Sequence, residues 1–210
     1  MSRKIVHVIG TGTIGEPLIG LLCDFKNELG IDEITFHKNT PLTTDRSKVV
    51  SLSKRGARLS THEEKFQGFK DIGLNPDFST ESAIERASVV IDCTPSSYGI
   101  QNKEKYYNKF SKNTLGFISQ GSEFGFGKPY ARGINDKALV RGEDQFIQVV
   151  SCNTHNLSTI VQTIALDESE DNLLDGKFLL IRRSNDVSQS KRFVPAPEVG
   201  EHKDSLYGTH

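Results

Sequence analysis

The sequence predicts a doubly wound α/β fold on a parallel sheet, followed by the start of an incomplete catalytic domain. Three observations predict it. Short β-branched runs alternate with stretches of helical apolar spacing, joined by short links. A Gly-x-Gly-x-x-Gly turn joins the first run to the first helical stretch. The alternation stops after Arg183, and Ser184 to His210 carries few apolar residues, without period.

Ile5 to Ile9 predicts the first strand. Pro17 to Leu29 places Leu18, Leu21, Leu22, Phe25 and Leu29 at helical spacing, with Pro17 tolerated in the first turn and Gly30 as the stop. Ile31 to Phe36 predicts the second strand, and Ser47 to Lys54 a helix. Arg58 to Asn75 is polar and mixed, with a short helix around Glu63 to Asp71; Ser82 to Arg86 is helical. Val89 to Thr94 reads as a buried strand ended by Pro95, Asn102 to Phe110 as a helix, and Leu115 to Ile118 as a strand closed by Gln120-Gly121. Phe146 to Val150 is a strand that runs into Ser151-Cys152-Asn153-Thr154. Asn156 to Leu166 predicts a helix, and Phe178 to Ile181 a strand ending in Arg182-Arg183.

Composition narrows the function classes. The 210 residues hold 26 Lys plus Arg against 27 Asp plus Glu, which excludes a nucleic-acid binder held by bulk positive charge. No run approaches the ~20 apolar residues that cross a bilayer. The first residues lack the apolar length and small-residue cleavage site of a signal peptide, so a soluble cytoplasmic protein without a membrane partner is expected. Cys23, Cys93 and Cys152 lie far apart with no Cys-x-x-Cys, so neither a zinc site nor a disulfide framework is expected.

The glycine turn has the strand before it and the helix after it that a dinucleotide site of the Rossmann type needs. Gly10 permits the tight turn, Gly12 lets backbone approach a pyrophosphate, and Gly15 lets helix and strand pack closely. The helix N-terminus offers N–H donors to the phosphates. The second strand ends in Phe36-His37-Lys38-Asn39-Thr40, with no acid for a ribose 2′-hydroxyl. Lys38 suits a 2′-phosphate, which predicts NADP, or NADP and NAD alike; the plain alternative is a solvated lysine. Residues 1–150 are thus expected to form the dinucleotide-binding unit and 151–210 the opening part of a catalytic unit.

Cys152 differs from the other two cysteines. It follows a strand and precedes a helical pattern, where backbone N–H groups and the helix dipole favour a thiolate and could hold a developing oxyanion. A reactive thiolate beside a nicotinamide fits aldehyde oxidation through a thiohemiacetal and a thioester. Cys93 is followed closely by Pro95 and reads as structural; Cys23 lies within the first helix.

Val149-Val150-Ser151-Cys152-Asn153-Thr154 resembles archaeal-type (type II) glyceraldehyde-3-phosphate dehydrogenase, as does Gly10-Thr11-Gly12-Thr13-Ile14-Gly15. The likeness continues through Val90-Ile91-Asp92-Cys93-Thr94-Pro95 with Gly99 and Gln101-Asn102, then Gln120-Gly121 with Glu123, then Leu180-Ile181-Arg182-Arg183. The resemblance implies NAD(P)-dependent oxidative phosphorylation of glyceraldehyde 3-phosphate to 1,3-bisphosphoglycerate, with inorganic phosphate as co-substrate. It implies that Thr13, Ile14 and Gly121 touch the dinucleotide. Ser151, Cys152 and Asn153 would line the substrate, with Cys152 the nucleophile. Arg182 and Arg183 would contact cofactor or phosphate, a task suited to the arginine fork. His202, within Gly200-Glu201-His202-Lys203-Asp204, would correspond to a substrate-binding histidine.

Three departures stand out. His155-Asn156 follows Cys-Asn-Thr where the family has Thr-Gly. Glu16 follows the third glycine where the family carries a basic residue. The family also continues past this length, with its general base in the later part. Within this chain His155 is the nearby candidate base, or else a neutral solvated histidine. Two other readings remain open. One is a shortened or split homologue that binds NADP with little turnover alone, as a homo-oligomer or with a separate C-terminal partner chain. The other is a related semialdehyde dehydrogenase, which the arginine pair and the Cys-Asn-Thr context disfavour.

Overall fold

A strand covered on both faces is mostly apolar, and Ile5–Ile9 (β1), with His7 as its polar member, is buried at all five positions. The computed structural model describes residues 3–121, 123–166, 169 and 172–179. The further strands are Glu33–His37 (β2), Arg58–Thr61 (β3), Phe78–Ser79 (β4), Val89–Asp92 (β5), Gly116–Gln120 (β6), Lys128–Tyr130 (β7) and Phe146–Val149 (β8). They form one sheet in the order β4-β3-β2-β1-β5-β6-β8-β7, and every pairing is parallel. Ile5 to Ile9 runs in register with Glu33 to His37 on one side, and Val6 to Ile9 with Val89 to Asp92 on the other. The strand order reverses between β1 and β5, the switch point at which such sheets bind ligands.

The helices are Gly15–Asp24 (α1), Arg46–Lys54 (α2), Phe66–Asp71 (α3) and Thr80–Arg86 (α4). A fifth (α5) starts as Tyr98–Asn102, widens over Lys103–Tyr107 and closes at Asn108–Phe110. The sixth (α6) is Cys152–Ile160, extended through Val161–Ala165. Alternation along β1 sends Val6 and Val8 to one face and Ile9 to the other. The first face packs with Ile19, Ile34, Phe36, Leu52 and Phe69 beneath α1, α2 and α3. The second packs with Ile84, Val90, Tyr107, Phe117 and Phe126 beneath α4 and α5. The doubly wound parallel fold expected from the sequence is therefore the fold observed.

Its details differ in places. Within the stretch read as polar and mixed, β3 is a strand whose inward residues include Ser60 and Thr61, with Ser60 donating from its hydroxyl to the Phe36 carbonyl at 3.2 Å. The edge strands β4 and β7 are too short to leave a pattern. α1 ends at Asp24 rather than Leu29, leaving Leu21, Phe25 and Leu29 about half exposed. α6 begins four residues earlier than the apolar spacing suggested. The strand expected at Phe178 to Ile181 is corrected in its described part. Phe178 and Leu179 are exposed and have no strand partner among the described residues. Arg182, Arg183 and His202 lie outside the described residues.

The amino edge of the sheet is pinned by charge. Glu33 is buried, with Arg3 and Arg86 at 3.0 Å and Arg58 at 3.5 Å. Arg58 and Arg86 also stack on the Phe78 ring, at 4.3 and 4.1 Å. The buried Glu33 carboxylate is thus compensated by three guanidiniums, and its replacement by Gln would remove the charge all three converge on.

Two buried histidines give the fold a predictable response to acid. His7 is fully buried, its Nδ1 paired with the Thr35 hydroxyl at 2.7 Å, and burial lowers its pKa to about 3. His37 is lowered to about 3 by burial, reinforced by the charges His7 and His62 would carry and by Lys65 and Lys38. Both folded-state values lie below the unfolded value, so the unfolded chain binds more protons in between. Stability is complete above pH ~6.5 and is lost as pH falls toward 3, by up to about 1.4 kcal/mol per pH unit for each histidine. Urea melts at pH 7 and pH 5 should show this fall, and His7→Asn should remove its share of the slope. Equal melts at both pH values would contradict neutral burial.

Candidate active site

The carboxyl edge of the sheet carries the residues that the sequence singled out. At the end of β1, Gly10 has φ +97°, and a Cβ there would lie 2.8 Å from the Cys93 carbonyl oxygen. A Cβ on Gly15 would run into the carbonyl oxygen of Gly10. These two glycines therefore serve close packing, and Cys93 forms the floor beneath them. Gly12 differs: no protein atom lies within 4 Å of where its Cβ would be. Gly12, Thr13 and Ile14 are exposed, and Ile14 is 48% exposed although apolar. Within α1 the Glu16 amide already donates to the Gly12 carbonyl at 3.1 Å and Pro17 has no N–H, so the donors left to a ligand are those of the turn, Gly12, Thr13 and Ile14. The turn thus offers an open backbone cradle, and these residues fit the pyrophosphate of a dinucleotide.

Beside the cradle, β5 ends in a locked turn. Asp92, 2% exposed, accepts from the Thr94 amide at 2.9 Å, from Asn102 at 2.9 Å, and from the Thr94 and Tyr107 hydroxyls. Burial, with the Asp92 charge beside it, pushes the Tyr107 phenol well up. Burial also pushes the Cys93 thiol up to about 12, and Asp92 adds to the effect. Cys93 is thereby an inert packing group, as its setting before Pro95 suggested.

One strand further, Gln120 donates from Nε2 to the Thr94 carbonyl at 3.4 Å. Gly121, at φ +71°, donates its amide to Val149 at 3.0 Å and accepts from Gln148 Nε2 at 2.9 Å. These bonds tie the ends of β5, β6 and β8 into one ledge. Glu123 is buried beside it, accepting from the Ile100 amide at 3.0 Å. Burial raises its carboxyl pKa, against the opposing pull of the Ile100 amide. It fixes the start of α5, where Ser97 holds φ +75°, and lines a cleft of about 370 Å³ with Ile100, Gln101 and Phe124.

Cys152 is the first residue of α6 and is exposed. Ser151 caps the helix: its backbone is extended, and its hydroxyl accepts from the Thr154 amide at 3.2 Å. That cap, satisfied by a side chain rather than by apolar spacing, is why the helix starts at the cysteine. The amides of Cys152 and Asn153 belong to the first turn and have no intrahelical partner. His155 lies one turn on, and its Nε2 is 3.0 Å from the Arg132 carbonyl. A carbonyl only accepts, so Nε2 is the donor in this contact, and Nδ1 is the ring nitrogen it leaves unengaged.

Lys38 is placed where the sequence put it, just after β2, but it is not a free cation. Its Nζ is 2.7 Å from Asp45, a residue the sequence reading missed. Lys48 on α2 reaches Glu16 at 3.1 Å and the Thr11 carbonyl at 3.4 Å. Gly10 to Gly15, Lys38, Gly121, Ser151, Cys152 and Asn153 all lie at this carboxyl edge. From β1 to β8 is three inter-strand steps, about 14 Å. Among the described residues no group of three or more His, Cys, Asp or Glu side chains could hold a metal, and no helix is long and apolar enough to cross a membrane.

No protein-family model matches the chain. It is similar to curated proteins named glyceraldehyde-3-phosphate dehydrogenase. The protein of Methanobrevibacter smithii is 29% identical over 212 residues, covering 95% of this chain and 57% of its own length. That of Sulfolobus acidocaldarius is 27% identical, with 91% and 52% covered. That of Pyrobaculum islandicum is 26% identical, with 89% and 51% covered. The resemblance to archaeal glyceraldehyde-3-phosphate dehydrogenase read from the motifs is thus borne out. The chain spans about half the length of the curated relatives it matches.

Proposed function

We propose that the chain is the dinucleotide-binding and nucleophile-bearing part of an NAD(P)-dependent glyceraldehyde-3-phosphate dehydrogenase, with residues 1–150 holding the dinucleotide and 151–210 opening the catalytic unit. The observation that carries this is the placement of the open Gly12 cradle and the exposed Cys152 along one carboxyl edge. The pyrophosphate rests on the amides of Gly12, Thr13 and Ile14, and Gly121 borders the far half of the cofactor. The bound nicotinamide supplies a hydride acceptor. Cys152 Sγ, as thiolate, adds to the aldehyde carbon of glyceraldehyde 3-phosphate, forming a C–S bond. The first-turn amides of α6, with Ser151 and Asn153, receive the developing oxyanion. The base takes the Cys152 thiol proton before addition, and loss of the carbon-bound hydrogen as hydride then collapses the oxyanion to a thioester on Cys152. Inorganic phosphate attacks that carbonyl, releasing the thiolate and an acyl phosphate. His155 Nδ1 is the base this chain offers, Arg182 and Arg183 are proposed for cofactor or phosphate contacts, and His202 is proposed for substrate binding.

The half-length match favours a second reading, in which the 210-residue chain binds the dinucleotide but turns over slowly or not at all alone. Titration with NAD and NADP, followed by intact-mass analysis after incubation with NAD and glyceraldehyde 3-phosphate, separates the two. Binding with an acyl adduct on Cys152 is expected under the first reading, and binding without it under the second. Absence of binding would overturn both.

A further inference from the structure

At the end of β2, charges alternate along a chain of four residues. Lys38 Nζ sits 2.7 Å from Asp45 Oδ2, with the lysine only 13% exposed. Asp45 Oδ1 faces Lys48 Nζ at 4.0 Å, and Lys48 reaches Glu16 Oε2 at 3.1 Å. Lys48 also donates to the Thr11 carbonyl at 3.4 Å, so the network leans on the glycine turn itself. Two ammonium groups and two carboxylates make this chain of pairs neutral; Lys65, held by the Asn39 side chain, stands beside it as a further cation. The place is the one where sheets of this kind read the adenosine ribose, by an acid for a 2′-hydroxyl or a cation for a 2′-phosphate.

We propose that Asp45 selects the dinucleotide: it supplies, from the turn before α2, the acid missing at the end of β2, and so favours a free 2′-hydroxyl over a 2′-phosphate. The inference rests on the dinucleotide reading above and revises the preference that an isolated Lys38 suggested. A 2′-phosphate brings about −1.5 to −2 charges. It would have to displace Asp45 from Lys38 and then sit beside two carboxylates. A 2′-hydroxyl instead donates to Asp45 Oδ1, which stands 4.0 Å from Lys48 Nζ, while Lys38 pairs with the other oxygen, Oδ2. Glu16 is a positioning residue here, holding Lys48 over Thr11.

Calorimetric titration of the full chain with NAD and with NADP, at one ionic strength, tests this. The parent is expected to bind NAD at least as tightly as NADP. Asp45→Asn should shift the ratio of affinities toward NADP tenfold or more, and Lys38→Gln added to it should cancel the gain. Asp45→Ser serves if the Asn variant melts early. A ratio unchanged within twofold in a folded Asp45 variant overturns the proposal, as does a parent that prefers NADP tenfold. A parent that binds neither cofactor overturns the dinucleotide reading beneath it.

Discussion

Gly12→Val will leave the fold intact and weaken dinucleotide binding by about a hundredfold or more, a loss of roughly 2.7 kcal/mol at least. The reason is the contrast among the three glycines of the turn. Gly12 has open space where its Cβ would stand and no positive φ, so the protein itself accepts a side chain there. Only a ligand would be displaced. Gly15→Ala is the counter-case: its methyl meets the Gly10 carbonyl, so helix and strand must part, at a cost on the order of 3 kcal/mol. Urea melts should therefore show parental stability for Gly12→Val and a clear loss for Gly15→Ala. Calorimetric titration should show binding lost in the first. Parental affinity in Gly12→Val would remove the glycine turn from the cofactor site.

Thiol chemistry should separate the three cysteines by orders of magnitude. Cys152 is exposed at the start of α6, Cys23 is partly buried, and Cys93 is buried. Burial raises the Cys23 thiol, and it pushes Cys93 up to about 12. At pH 8 a thiol of that kind is about one part in ten thousand thiolate, the form that reacts. Timed labelling with iodoacetamide and peptide mapping should find Cys152 modified first and Cys93 last, roughly a thousandfold behind. Cys152→Ser should abolish both the fast phase and any acyl adduct. First labelling at Cys23 or Cys93 would contradict the assignment of the nucleophile.

What the sequence disclosed follows from how each feature is encoded. β1 and β5 are largely apolar runs, because strands in the middle of a parallel sheet are covered on both faces. The glycine turn was legible from spacing alone, since each glycine answers a local steric demand. β3 was not legible: its buried Ser60 and Thr61 are polar, and their burial depends on neighbours β2 and β4. The start of α6 was misplaced because a hydroxyl cap, not apolar periodicity, sets it. Asp45 was missed for a similar reason. It stands seven residues beyond Lys38, and only the turn at Thr43–Asp45 brings the two together. Thr43-Thr44-Asp45 ahead of a helical stretch was the available signal, as a polar cluster of helix-start type.

The sheet's outermost strands also limit how copies of this chain can meet. β4 is two residues long and β7 three, and the middle residue of β7 is Pro129, which has no N–H to offer. A second chain adding itself by strand pairing would find at most one or two hydrogen bonds at either border, too few to set a register. The sheet thus terminates itself, and the described part of the chain is guarded against growth into a continuous fibre by edge-to-edge addition.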